Sequence, residues 1–254
     1  PGMSSKDICR KIIPLYGKLK MGHIGTLDPI AEGILPLVFG NYSRLHDVLL
    51  HNTKVYECHV QVGIKTDTLD ISGDICERKN YTHISKEKLQ TIANTMVGKR
   101  KQIPPLFSAI KYKGKALYKY AREGLHDQVP LESLAKEVEI FSFQIIDFID
   151  DRLIFEAKVS KGTYIRSLLN DLLVKAGTLG SMSKLIRKRV GAVDLSMTVS
   201  LDELLEDNKK IEDFFISLTT LGLGDKLITV PLPISQRLLQ GQRIRILPEN
   251  SQEL

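Results

Sequence analysis

At residue 55 the hydrophobic period of this 254-residue chain drops from helical spacing to two. Tyr56, Cys58, Val60 and Val62 alternate with Glu57, His59 and Gln61, the pattern of a strand buried on one face. Two longer runs rich in isoleucine and phenylalanine, Val138 to Ile149 and Leu153 to Val159, read as paired strands joined by a tight Asp150-Asp151 turn. Helical patterns surround them. Ser4 and Ser5 can cap a helix with Ile8, Ile12 and Leu15 inward, ended near Pro14 and Gly17, and a short helix follows from Ser43 to His51. Ser85 caps a helix facing Leu89, Ile92, Ala93 and Met96 inward, with Gly98 as its stop. Thr163 caps one that buries Ile165, Leu168, Leu169, Leu172 and Ala176 and stops at Gly177, and Ser200 with Glu203 makes a capping box. Both periods in one chain exclude an all-helical or an all-strand fold.

Hydrophobic residues make up 43% and charged residues 26% of the chain, so it has the composition of a folded globular protein. Its length suits one large domain or two moderate ones. No run of about eighteen apolar residues is present, and no signal segment opens the chain, which excludes a spanning helix. The start at Pro1-Gly2, without a methionine, suggests that residues are missing upstream. Three cysteines, Cys9, Cys58 and Cys76, form no CxxC pair, which speaks against a disulfide framework or a zinc site and for a reducing cytoplasm.

The densest functional signal is Gly22-His23-Ile24-Gly25-Thr26-Leu27-Asp28-Pro29-Ile30-Ala31-Glu32-Gly33. Glycines flanking a histidine suggest a shaped loop. Asp28-Pro29 reads as a helix start, with aspartate at the N-cap and proline at the first helical position. Capping alone would account for Asp28, but not for His23 or the glycine density.

Lys99 to Arg122 carries eight lysines or arginines and no acid, with Phe107, Tyr112, Tyr118 and Tyr120 interleaved. Cations neutralise phosphates and rings stack on bases, so this segment suits a nucleic acid with exposed bases. A solvated face would mix both signs. Arg166 falls in the first turn of its helix, where the dipole disfavours a cation, so a specific carboxylate partner is expected. Tyr56 sits on the apolar side of its strand, where core packing is the ordinary role of a tyrosine. The Thr66 to Asp74 loop is acidic but lacks calcium-loop spacing. Lys184 to Arg189 forms a second basic cluster. Phosphate-loop, dinucleotide, zinc-deaminase and nucleophile-elbow patterns are all absent.

Four stretches together resemble the TruB-type tRNA pseudouridine synthases. They are Gly22 to Gly33, Gln102 to Lys111 (QIPPLFSAIK), Gly114 to Gly124 (GKALYKYAREG) and Ser160 to Arg166 (SKGTYIR). The resemblance implies an α+β fold: a mixed, largely antiparallel sheet with flanking helices over residues 1–218, an RNA-clamping insertion at about 99–124, and a short, incomplete PUA-like segment at 219–254. It also implies isomerisation of uridine to pseudouridine in the tRNA T loop, at the position called 55. By similarity Asp28 is the catalytic nucleophile, Tyr56 stacks on the target base, and Tyr164 and Leu185 line the uridine pocket. Arg166 pairs with Asp28, Asp70 sandwiches that guanidinium, and His23 supports the flipped-out geometry. Lys111, Lys113 and Lys115 are RNA-contact candidates. Expected further are a cytoplasmic monomer acting on the T arm, no metal, no organic cofactor and no membrane. An RNA-binding module without catalysis is the alternative, drawn from the basic clamp and the short tail.

Overall fold

A computed structural model of the protein describes residues 1–16, 20–50, 53–206, 214–221 and 230–242. The chain separates into two units, Pro1–Asp207 and Asn208–Leu254. The first unit runs through α1 (Ser5–Ile12), β1 (Met21–His23), β2 (Ala31–Gly33), β3 (Leu37–Phe39), α2 (His46–Leu50), β4 (Lys54–Val62), β5 (Ile64–Thr66), β6 (Ile75–Arg78), α3 (Lys86–Thr95) and β7 (Gly98–Gln102). It continues with β8 (Lys111–Tyr112), β9 (Lys115–Ala116), α4 (Leu117–Arg122), β10 (Lys136–Ile149), β11 (Arg152–Val159), α5 (Ile165–Ala176), β12 (Gly180–Val190), β13 (Val193–Asp194) and α6 (Leu201–Leu205). In the second unit α7 spans Leu232–Leu239.

Among the described residues the main sheet has the order β13-β12-β4-β11-β10-β7, with β2 also on β12. Every pairing in it is antiparallel except β2 on β12, where Leu185 faces Ala31 and Arg187 faces Gly33. The expected strand alternation holds in β4, with Tyr56, Cys58, Val60 and Val62 all buried. The turn between β10 and β11 puts Asp150 at φ +54°, a region that short polar side chains tolerate.

Helices α3 and α5 contribute to the core on the apolar side of the sheet. Leu89, Ala93 and Met96 join Leu168, Leu169 and Leu172, together with Phe155, Ala157 and Val159 of β11. Phe143 meets Phe155 edge-on at 5.0 Å between ring centroids. Full burial of each large side chain contributes about 1.5–3 kcal/mol, which anchors the strand ends that carry the site. Gly177 at φ +87° ends α5 where a left-handed residue is needed.

Several local expectations shift. Ser4 caps α1 through a capping box with Asp7, but the buried face is Ser5, Cys9 and Ile12, and Leu15 is exposed. A 3₁₀ turn, Gly40–Leu45, precedes α2. Tyr164, not Thr163, is the N-cap of α5, because the Thr163 hydroxyl donates back to the Ser160 carbonyl at 3.0 Å. Gly17, His51 and the run Ile244 to Leu247 lie outside the described residues.

The basic segment is divided. Lys99 to Gln102 belong to β7, paired with β10 in the main sheet. Beyond it, the β8–β9 hairpin and α4 build a small second core of Leu117, Tyr120 and Val129, with Ile110, Tyr112, Leu125, Leu131 and Leu134 packed against it.

Candidate active site

Asp28 does not cap a helix. Its carbonyl accepts from the Ala31 N–H at 2.9 Å, so Asp28-Pro29-Ile30-Ala31 is a tight turn, with proline at the second position that turns favour. Ala31 then enters β2, and Gly33 at φ +94° cannot continue a helix. Parallel pairing with β12, more than 150 residues away, overrides the local helix signal. The N-terminal residues brace this turn: the Leu27 N–H donates to the Ser5 hydroxyl at 2.9 Å, and the Gly2 N–H to the Pro29 carbonyl at 2.7 Å.

Arg166, at the start of α5, meets the Asp28 carboxylate side-on. Its Nε donates to Oδ2 at 2.8 Å and its Nη2 to Oδ1 at 3.0 Å, a two-pronged charge-assisted contact. Two more hydrogens are also bound: Nη1 donates to the Thr68 carbonyl at 2.9 Å and Nη2 to the Phe107 carbonyl at 3.0 Å. Asp70 Oδ2 lies 3.9 Å from Nη1, while its Oδ1 accepts from the Ser72 N–H at 3.0 Å and the Thr68 hydroxyl at 2.9 Å. Leu69, at φ +62°, turns the chain so that Asp70 bridges to Met182 of β12. Three separate stretches of chain therefore converge on one guanidinium.

Exposure divides this group. The Arg166 side chain is 4% exposed and that of Asp28 is 31% exposed, so the cation is sealed and the carboxylate is open to a ligand. Two carboxylate lone-pair sites take the Arg166 hydrogens, which leaves others free. Burial pushes the Tyr164 phenol above its usual range, and the Asp28 charge adds to the rise. That phenol therefore stays protonated at neutral pH.

Tyr56 and Leu185 are buried in the core cluster that Leu27 and Ile30, the neighbours of Asp28, pack against. His23 stands apart on β1, with Cys9 Sγ 3.7 Å from Nδ1 and the Thr26 hydroxyl 3.2 Å from Nε2. Burial, with lesser pushes from His46 and Arg187, lowers its pKa, so the imidazole is neutral at pH 7. Lys111, Lys113 and Lys115 lie on the β8–β9 hairpin. Lys115 is engaged by Glu123 and sits over the Tyr120 ring, whereas Lys111 and Lys113 are exposed.

Two residues escaped sequence reasoning. Gln102 clasps the Tyr164 backbone on both sides, accepting from its N–H at 2.8 Å and donating to its carbonyl at 3.1 Å. Arg187, read from sequence as part of a basic cluster, is 1% exposed. Its parity with the inward Leu185 was the available signal. The rest of that cluster is paired: Lys184 with Glu32, Lys188 with Glu57 and Glu156, Arg189 with Asp194. Among the described residues no three His, Cys, Asp or Glu side chains gather as a metal-binding group, and no helix is long and apolar enough to cross a membrane.

The fold has solved counterparts. A chain of a Cbf5-Nop10-Gar1 complex matches 87% of this protein and 55% of its own length, with a TM-score of 0.62 at 22% identity. An H/ACA RNP bound to a substrate RNA containing 2′-deoxyuridine gives a TM-score of 0.60 at 20% identity, over 88% of this chain and 55% of that one. The protein spans about half the length of those chains, and at such identities the likeness concerns the fold alone. The sheet and its flanking helices thus define a chain with the fold of those structures.

The sequence comparison is narrower. The model of the TruB family pseudouridylate synthase (N terminal domain) matches residues 11–165. A tRNA pseudouridine synthase B of Caldanaerobacter subterraneus subsp. tengcongensis is 37% identical over 248 residues, covering 96% of this chain and 83% of the relative. One from Streptococcus sanguinis is 38% identical over 242 residues, covering 92% and 81%. The chain belongs to the TruB family of pseudouridylate synthases.

Proposed function

We propose that this protein isomerises uridine to pseudouridine in tRNA, in the T loop at the position called 55, with Asp28 as nucleophile on a flipped-out nucleotide. The observation that carries the reading is the open Asp28 carboxylate held on both oxygens by the sealed Arg166. Such a pair orients a nucleophile while leaving it reachable.

Asp28 attacks either C1′ of the sugar or the base itself. The N1–C1′ bond breaks, the uracil turns, and a C5–C1′ bond forms. C5 then gives up its proton, N1 takes one up, and the carboxylate is released, so the product is an isomer of the substrate. Tyr56 stacks on the base, Tyr164 and Leu185 bound its pocket, and His23 supports the nucleotide outside its stack, which chemistry on a base requires. The exposed lysines of the β8–β9 hairpin meet the phosphates.

Incubation with unmodified tRNA, followed by pseudouridine mapping, tests this. Product at the T-loop position, abolished in Asp28→Asn with tRNA binding retained, is the expected result. Folded protein that binds tRNA and makes no product would leave an RNA-binding module instead.

A further inference from the structure

Arg187 is a buried charge that the site described above does not use. At 1% exposed it is among the largest fully buried side chains, and among the described residues no carboxylate lies within ion-pair distance of it. Its donors go to backbone instead. Nε donates to the Ile34 carbonyl at 2.6 Å and Nη1 to the Gly25 carbonyl at 3.0 Å, while Nη2 is buried without a partner.

Those two carbonyls bracket the segment that holds Asp28. Its far end is bound a second time by the backbone of the same residue, since the Arg187 carbonyl accepts from the Ile34 N–H at 3.0 Å and Arg187 pairs with Gly33 across β2 and β12. At Gly33 a Cβ would overlap the Arg187 carbonyl, so the strands approach here as closely as a bare glycine allows. On its other side Arg187 is the cross-strand partner of Tyr56. A buried guanidinium is costly to desolvate and is kept where its planar fork satisfies fixed acceptors. Here the fork closes residues 25–34 into a loop whose turn presents Asp28 to Arg166.

We infer that Arg187 is a positioning residue: it sets the aim of the Asp28 turn through the Gly25 and Ile34 carbonyls, without touching RNA. Its catalytic consequence rests on the reading of Asp28 as nucleophile, whereas its effect on the loop does not. A lysine ammonium lacks the planar fork that holds the two carbonyls in fixed relation, and methionine bonds neither.

The test uses the full chain as R187K and R187M, with three readouts: the single-turnover rate on unmodified tRNA, tRNA binding, and amide hydrogen exchange. Both variants should lose about tenfold or more in rate, because small misplacement of a nucleophile is heavily penalised. The tRNA Kd should stay within about threefold of the parent, as expected for a side chain outside the RNA contact. Exchange at the Ala31 and Ile34 amides should quicken while the β10–β11 amides keep parental protection. Parental rate and protection in R187K would overturn the inference. So would weakened tRNA binding with an undisturbed loop, or uniform loss of protection across the sheet. Should R187M fail to fold, R187K decides. A parent that makes no pseudouridine overturns the proposed function alone, because loop exchange still reads the role of Arg187.

Discussion

Arg166 grips both oxygens of Asp28 at 2.8 and 3.0 Å, across 138 positions of sequence, while the Thr68 and Phe107 carbonyls take two of its three other hydrogens. Four engaged N–H groups fix the guanidinium, so the carboxylate it holds has little freedom.

Replacing Arg166 by lysine removes the fork and strands buried carbonyls. The single-turnover rate on tRNA should fall by about 100-fold or more, with tRNA binding close to parental. Asp70→Asn should cost less, because Asp70 stands 3.9 Å from Nη1, outside hydrogen-bond range. Equal losses in the two variants would mean that charge, rather than the fork, organises the site.

Gln102 is buried and satisfies both backbone groups of Tyr164, which starts α5 without a side-chain cap of its own. Gln102→Ala should lower unfolding stability by about 1–3 kcal/mol, chiefly by leaving the Tyr164 N–H without its acceptor, since the Tyr164 carbonyl still accepts from the Leu168 N–H at 3.0 Å. Gln102→Glu keeps the acceptor and loses the donor, so it should retain only part of the stability. Urea unfolding of the three proteins measures this, and a neutral Gln102→Ala would contradict it.

Lys54 is buried at the start of β4, and burial, with Arg187 and Lys161 nearby, lowers its pKa from 10.5 to about 8. Between those values the unfolded chain holds a proton that the folded chain has released, so stability rises with pH across the window. Relative to Lys54→Met, the parent should gain on the order of 2–3 kcal/mol between about pH 8 and 10.5. Unfolding curves that keep a constant difference over this range would show that Lys54 titrates normally.

On the β8–β9 hairpin, Lys111 and Lys113 are exposed, while Lys115 is committed to Glu123 and Tyr120. Lys111→Ala and Lys113→Ala should each weaken tRNA binding and flatten the slope of log K against log salt by about 0.7–0.9. Lys115→Ala should change that slope less and lower hairpin stability more. Filter binding from low to moderate salt separates the three.

Much of this architecture could be read without coordinates, because its causes are local. The two-residue period of β4 follows from a strand with one wet face, and Ser85 and Ser200 cap helices where their hydroxyls meet orphan N–H groups. Asp28-Pro29 misled because the same dipeptide suits a helix start and a tight turn. Thr163 misled because its hydroxyl found a carbonyl behind it rather than an N–H ahead.

By itself, then, the sequence determined the strands and helices whose periods are short, the Gly177 stop, the family motifs and the need of Arg166 for a partner. Tertiary structure alone decided that Asp28 sits on a turn, that Gln102 holds Tyr164, and that Arg187 is buried while its basic neighbours pair at the surface. The physical reason is distance along the chain. The Gln102–Tyr164, Asp28–Arg166 and Gly25–Arg187 contacts join positions 62 to 162 residues apart, and a hydrogen bond between such positions leaves no period in the sequence around either one.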